Sequence, residues 1–161
     1  MASYIPNLYR DNISLYTVPA AAVLCVAPRF FAANTYKAAT SKKFDSMQPR
    51  SFSETVKGDQ SLDAKTKGRI VRAEAAVLNG FETLGLYAAA VTAANAAGVG
   101  AGTLNGLSLA YLTIRLTYNH IYIYQDLLPT QVRSFSWMAS LGVIFSMFIL
   151  AGNRFKNAVV L

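Results

Sequence analysis

Long apolar runs alternate with short polar connections along this chain. Four segments are apolar enough to cross roughly 30 Å of hydrocarbon, which takes about 20 helical residues. They lie near residues 13–33, 70–94, 104–124 and 134–151. The first contains Pro19 and Pro28, which a membrane helix tolerates when neighbours satisfy the carbonyls that proline leaves free. NAAGVGAG joins the second and third segments as a tight hairpin, and QDLLPTQVR joins the third and fourth. Only the first connection, residues 34–69, is long, and its polarity predicts an excursion into water. No internal repeat is visible. The pattern predicts an all-α membrane protein: a four-transmembrane-helix bundle forming one domain over residues 1–161.

Composition agrees with that reading and charge gives it a direction. The chain is 53% hydrophobic and 14% charged, against roughly 25% charged in soluble domains. Its formal net charge is +7. Lys37, Lys42, Lys43, Arg50, Lys57, Lys65, Lys67 and Arg69 all fall in the first connection, and the hairpin Asn95–Thr103 has no basic residue. The positive-inside rule then predicts that the first and third connections are cytosolic and that both termini are lumenal. Arg10, Arg154 and Lys156 weaken this asymmetry without reversing it. The charge does not predict a nucleic-acid partner, because no basic face is interleaved with exposed aromatics. Cys25, the single cysteine, cannot form an internal disulfide and reads as a small buried or lipid-facing hydrophobe. The start of the chain shows neither a charged n-region before an apolar core nor a small-residue cleavage site, so the first apolar run is expected to remain as an anchor. No lipidation motif is present.

The chemistry lies in polar residues inside the apolar runs. On a helical wheel Arg72, Asn79, Glu82 and Thr83 of the second span fall within an arc of roughly 100°, and Glu74 falls on the other side, near the cytosolic end and within reach of water. Ionisable residues at membrane depth usually face the bundle interior and a partner. In the third span Tyr111, Arg115, Tyr118, Asn119, Tyr122 and Asp126 share one face, which makes Arg115 the expected counter-ion of Glu82. Arg133 opens the fourth span. Arg72, Asn79, Arg115, Arg133 and several tyrosines would then form a cationic, donor-rich cleft suited to a small anionic ligand. Bland readings compete with this one. The Glu82–Arg115 pair can be a structural clamp, Arg72 and Arg133 can snorkel to the interface, and the tyrosines can form an aromatic belt. His120 points away from the Arg115 face and reads as structural. One His and one Cys cannot build a metal site, and neither a phosphate-binding glycine loop nor a Ser–His–acid set is present.

RAEAAVLNGFE, RLTYNHIYIY and RSFSW, taken together, resemble the MAPEG superfamily, the membrane-associated proteins in eicosanoid and glutathione metabolism. The basic connection with QPRSF resembles its fungal-type members. The resemblance implies a homotrimer of four-helix subunits, in the endoplasmic reticulum, with glutathione bound at subunit interfaces open to the cytosol. By motif position, Asn79 and Glu82 would hold the tripeptide. Tyr118, Tyr122 and Arg133 would face its thiol or carboxylates, with Arg133 and Tyr122 as the catalytic pair. An arginine late in the first span often contributes in the family, and Arg29 is the nearest match. Where the family's transferases place an arginine four residues before the Asn, and His or Gln two residues after that arginine, this chain has Ala75 and Val77. Arg72, one turn earlier, can reach the same ligand. The implied activity is a glutathione transferase or peroxidase acting on a lipophilic electrophile that arrives through membrane lipid. Two alternatives stay open: a glutathione-independent isomerase or cyclase of a hydrophobic metabolite, and a non-catalytic lipid-binding scaffold.

Overall fold

The computed structural model describes residues 7–158. A 3-10 turn, Ser14–Tyr16, leads into α1, Thr17–Thr40. A short α2, Phe52–Gly58, follows, then α3, Ala64–Ala96, and α4, Ala101–Ile123. A second 3-10 turn, Gln125–Leu127, precedes α5, Thr130–Ala158. No strand occurs among the described residues. α3 and α5 cover their apolar runs and extend past both ends, whereas α1 begins inside the first run and continues to Thr40, and α4 begins before the third run and ends at Ile123. Two stretches, Ser14–Thr40 and Thr130–Asn157, are long and apolar enough to cross a membrane. Large apolar side chains such as Val23, Phe30, Phe135 and Ile149 project outward, as a lipid-facing surface would.

Local chemistry sets the helix ends. Asp63 caps α3 by accepting from the backbone N–H groups of Lys65 and Thr66 at 3.0 and 2.9 Å, a contact worth about 1 kcal/mol. At the far end Gly98 takes φ +68°, and Val99 N and Gly98 N donate to Ala94 O and Asn95 O. This paired closure satisfies the last carbonyls of the helix and needs the left-handed conformation that glycine adopts without strain. The polypeptide reverses there into α4.

One core joins the four long helices. Ala21 of α1, Tyr87, Ala90 and Val91 of α3, Leu104 and Tyr111 of α4, and Ile144 and Met147 of α5 are all buried in it. The rings of Tyr87 and Tyr111 stack at 3.7 Å. The α1–α3 contact is closest at Gly80, where an added Cβ would lie 2.9 Å from the Cys25 sulfur and 3.1 Å from its Cα. Pro28 has no N–H to give the Leu24 carbonyl, four residues earlier. Asn119 of α4 donates to that carbonyl at 2.9 Å, so an uncoupled turn of α1 becomes a tie between helices.

The first connection differs from the expected polar excursion. Phe52, Val56 and Leu62 are buried with Ala32, Tyr36, Ile70 and Ala73 in a second core. The connection is therefore a folded cap on one end of the bundle. Asp59 fastens it, accepting from Lys42 Nζ at 2.7 Å, Tyr36 OH at 2.9 Å and Ser61 Oγ at 2.6 Å. The ammonium of Lys42 and the Ser61 donors hold the Asp59 carboxyl well below the usual carboxylate range.

Candidate functional site

A cleft of about 420 Å³ opens beside the junction of α3, α4 and α5, lined by Asn79, Tyr118, Tyr122, Arg133, Trp137 and Met138. Helical spacing builds it. Tyr118 and Tyr122 are four residues apart on α4, as are Arg133 and Trp137 on α5, so each pair shares a face. Cations and rings alternate through the wall. The Arg115 guanidinium lies 4.6 Å from the Tyr118 ring centroid, Tyr118 meets Tyr122 edge-on at 5.5 Å, and the Arg133 guanidinium lies 5.0 Å from the Tyr122 ring. Behind the wall Arg115, 3% exposed, donates both Nη groups to Asn79 Oδ1 at 3.2 and 3.3 Å. Bonds to the amide oxygen turn the Asn79 NH₂ the other way, toward Glu82 Oε2 at 3.4 Å.

Three expectations about charge need correction. Arg115 does not pair with Glu82. Asn79, one turn nearer the start of α3, takes the guanidinium, and Glu82 sits on the exposed surface of the chain. Glu74 does not reach water. It is 5% exposed and receives Arg29 on both carboxylate oxygens, at 3.2 and 2.6 Å. The buried ion pair of this bundle therefore links α1 to α3, and a wheel drawn for α3 alone cannot reveal it. Asp126 does not share a helix face with the tyrosines, because α4 ends at Ile123 and Asp126 lies in the 3-10 turn that follows. It accepts Arg69 at 2.9 Å and also Arg72.

The structure thus gathers Asn79, Tyr118, Tyr122 and Arg133 on one cleft and Arg115 directly behind it. It places Glu82 just outside. Arg72 spans from α3 to the end of α4, donating to Ile123 O at 2.9 Å and to Asp126. With Arg69 on its other oxygen, the Asp126 carboxyl lies below its ordinary range. Arg29 lies on the opposite side of α3, in the pair with Glu74. Neither Arg29 nor Arg72 borders the cleft within one chain. Trp137 and Met138 are wall residues that the sequence reading did not assign. Trp137 Nε1 is buried with no acceptor among the described residues, and its spacing of four residues from Arg133 was the signal available. Ser134 and Met138 also border an adjoining hollow of about 220 Å³ with Thr130, Gln131 and Phe135, its surface mostly apolar. His120 is exposed and tilts against Tyr124 at 4.6 Å.

Bundle and outward apolar surface together describe a helical membrane protein, with a cleft lined by cations and aromatic rings on one side of α3. The chain belongs to the MAPEG family, whose model matches residues 17–153, most of its length. Members of this family are membrane proteins of glutathione-related transfer and isomerisation chemistry. No curated protein matches the chain.

Proposed function

We propose that this chain is an integral membrane enzyme that uses glutathione to conjugate or reduce a lipophilic electrophile. The reading takes α1, α3, α4 and α5 as four spans of a single domain over residues 1–161. It places the chain as a homotrimer in the endoplasmic reticulum, with the basic cap in the cytosol. The observation that carries it is the convergence of Asn79, Tyr118, Tyr122 and Arg133 on one cleft. Glutathione has two carboxylates, an ammonium group and a thiol, and the donor set suits it. Arg133 offers a guanidinium fork, the two tyrosines offer hydroxyls, and Trp137 offers a buried N–H without an acceptor. Glu82, beside Asn79, can accept from an ammonium group. The volume of about 420 Å³ falls within the range of small-molecule sites. Arg72 and Arg115 add positive field behind the cleft, and Arg29 would be supplied across a subunit interface.

Bound glutathione would contribute a thiol nucleophile. An ordinary thiol, with a pKa of about 8.5, is mostly protonated at pH 7. The Arg133 guanidinium placed beside the sulfur favours the thiolate, and the Tyr122 hydroxyl adds a second donor. The Tyr122 ring, 5.0 Å from Arg133, holds that guanidinium in place. Arg115 fixes the Asn79 amide. The apolar hollow beside Phe135 and Met138 gives an electrophile a route in from lipid.

Thiolate absorbance of bound glutathione against pH tests the reading. Arg133→Ala should raise the thiol pKa by about one unit, equivalent to about 1.4 kcal/mol, and lower turnover. Arg133→Lys should recover part of the shift, because a point charge remains and the fork is lost. Identical titration of wild type and both variants would assign Arg133 to the membrane interface and remove its catalytic role. A second reading, a glutathione-independent isomerase or cyclase or a lipid-binding scaffold, is favoured by Ala75 and Val77. Val77 is buried in the protein and Ala75 borders another cleft, so neither replaces the polar groups that family transferases carry. Failure of the purified protein to be retained on glutathione resin would decide for this second reading.

A further inference from the structure

The guanidinium groups of Arg69 and Arg72, three residues apart on α3, converge on the turn that follows α4. Arg69 donates to Asp126 Oδ1 at 3.2 Å and to Oδ2 at 2.9 Å, and it lies over the Tyr124 ring, 4.7 Å from its centroid. Arg72 donates to the Asp126 carboxylate and to Ile123 O, the latter at 2.9 Å. From the same turn Gln125 reaches forward, its Nε2 donating to Leu128 O at 3.0 Å and to Pro129 O at 3.2 Å. Thr130 then opens α5. The start of α3, the end of α4 and the start of α5 are thus linked through two adjacent side chains, Gln125 and Asp126.

The link governs where Arg133 stands. Tyr118 and Tyr122 sit on α4, Arg133 and Trp137 sit on α5, and the connection 124–129 joins the two helices at this end. Packing within one chain does not hold the start of α5: no residue from 130 to 139 is buried, and the first buried side chain of the helix is Ser140. Arg133 meets α4 through the Tyr122 ring at 5.0 Å, a contact too weak to fix a helix end alone. Without the Asp126 charge, Arg69 and Arg72 would face the turn as two like charges and repel one another. The geometry points to Asp126 as a positioning residue of the cleft: by holding Arg69 and Arg72 it fixes the α4–α5 connection, and the connection fixes the Arg133 guanidinium against Tyr122. This role rests on the Arg133 cleft being the ligand site proposed above, and every contact it uses lies within one chain.

Trp137, the single tryptophan, lines the cleft one turn after Arg133 and reports on it directly. The test uses the full-length protein in mild detergent and reads Trp137 emission, its quenching by acrylamide, and the thiol pKa of bound glutathione. Asp126→Asn should shift the emission to longer wavelength and increase quenching before any ligand is added. Glutathione affinity should fall roughly tenfold, the low end of what a hydrogen bond to a charged group is worth, and the thiol pKa should rise toward its free value of about 8.5. Asp126→Glu, which keeps the charge, should recover most of each change. Gln125→Ala, which keeps both ion pairs and cuts only the forward tie to α5, should reproduce the tryptophan changes. Asp59→Asn, which loosens the cap at the same end of the bundle, should leave Trp137 as in wild type. Unchanged emission and quenching in Asp126→Asn would overturn the assignment, as would a full effect in Asp126→Glu or an equal one in Asp59→Asn. A wild type that does not bind glutathione would defeat the proposed function, and the tryptophan comparison would still decide the role of Asp126.

Discussion

Arg115 is a full positive charge at 3% exposure with no carboxylate in ion-pair range among the described residues. A buried ion costs several kcal/mol unless other groups compensate. Here the compensation is an amide oxygen, accepting twice, and the face of Tyr118. Asn79 and Arg115 should therefore be strongly coupled. In a double-mutant cycle of Asn79→Ala and Arg115→Gln, thermal or chemical unfolding should give a coupling energy of about 0.5–3 kcal/mol. Glu82→Gln, an exposed change, should stay within about 0.5 kcal/mol. A large loss from Glu82→Gln combined with additivity of the other two would reinstate the Glu82–Arg115 pair. At this scale the sequence was only partly informative. The Asn79, Tyr118, Tyr122 and Arg133 constellation was legible because motif spacing and helical periodicity both pointed to it. The pairing of charges was not. Arg29 could be matched to Glu74 only by knowing that α1 packs against α3, and periodicity within one helix carries no information about its neighbour.

Helices as units were easier to read than the residues between them. Apolar runs of about 20 residues announce themselves, and the Leu24 carbonyl that Pro28 leaves free needed a donor from a neighbour, which Asn119 supplies. The cap was not legible. Its buried residues, Phe52, Val56 and Leu62, stand singly among polar neighbours and give no run or alternation long enough to register. Two measurements test these elements. Gly80→Ala would push a Cβ to 2.9 Å from the Cys25 sulfur and 3.1 Å from its Cα. Backbone cannot yield there as a flexible side-chain tip would, so the change should cost about 1–3 kcal/mol. Gly85→Ala, on the same helix with open space around it, should be neutral or stabilising. Equal effects of the two changes would refute the close α1–α3 contact. The cap should also respond to acid. The Asp59 carboxyl is held below its ordinary value of about 3.9, chiefly by the Lys42 ammonium. A carboxylate with a depressed native pKa adds stability that is complete above its unfolded value and is lost as pH falls through the native one. Protection of residues 52–58 from amide hydrogen exchange, taken relative to the intrinsic rate at each pH, should stay constant at pH 5–7 and fall well below pH 4. Asp59→Asn should exchange faster already at neutral pH and lose most of that acid response. An acid response unchanged in Asp59→Asn would place the titrating group elsewhere.

For the whole molecule the open question is which way it sits in the membrane. Eight basic residues lie between positions 34 and 69 and none between 95 and 103. Moving such a segment across a bilayer is disfavoured, so the cap end should face the cytosol. Arg133, at the start of α5, and the cap both adjoin the end of the bundle where Arg69, Arg72 and Asp126 meet. A cytosolic cap therefore also puts the Arg133 cleft within reach of a soluble tripeptide, and the orientation and the proposed chemistry support one another. The folded cap makes the protease experiment sharper than an open loop would. Lys42, Lys43 and Arg50 are exposed in a stretch without regular helix, whereas Phe52 and Val56 anchor the segment that follows. Trypsin added outside sealed microsomes should cut first after Lys42, Lys43 or Arg50, leaving a C-terminal fragment that begins before α2. Lys65, Lys67 and Arg69, inside α3, should be cut later. Arg154 and Lys156, near the end of α5, should stay protected until detergent opens the vesicles. Cleavage at Arg154 or Lys156 with an intact cap in sealed vesicles would invert the orientation, and it would move the Arg133 cleft to the side away from cytosolic glutathione.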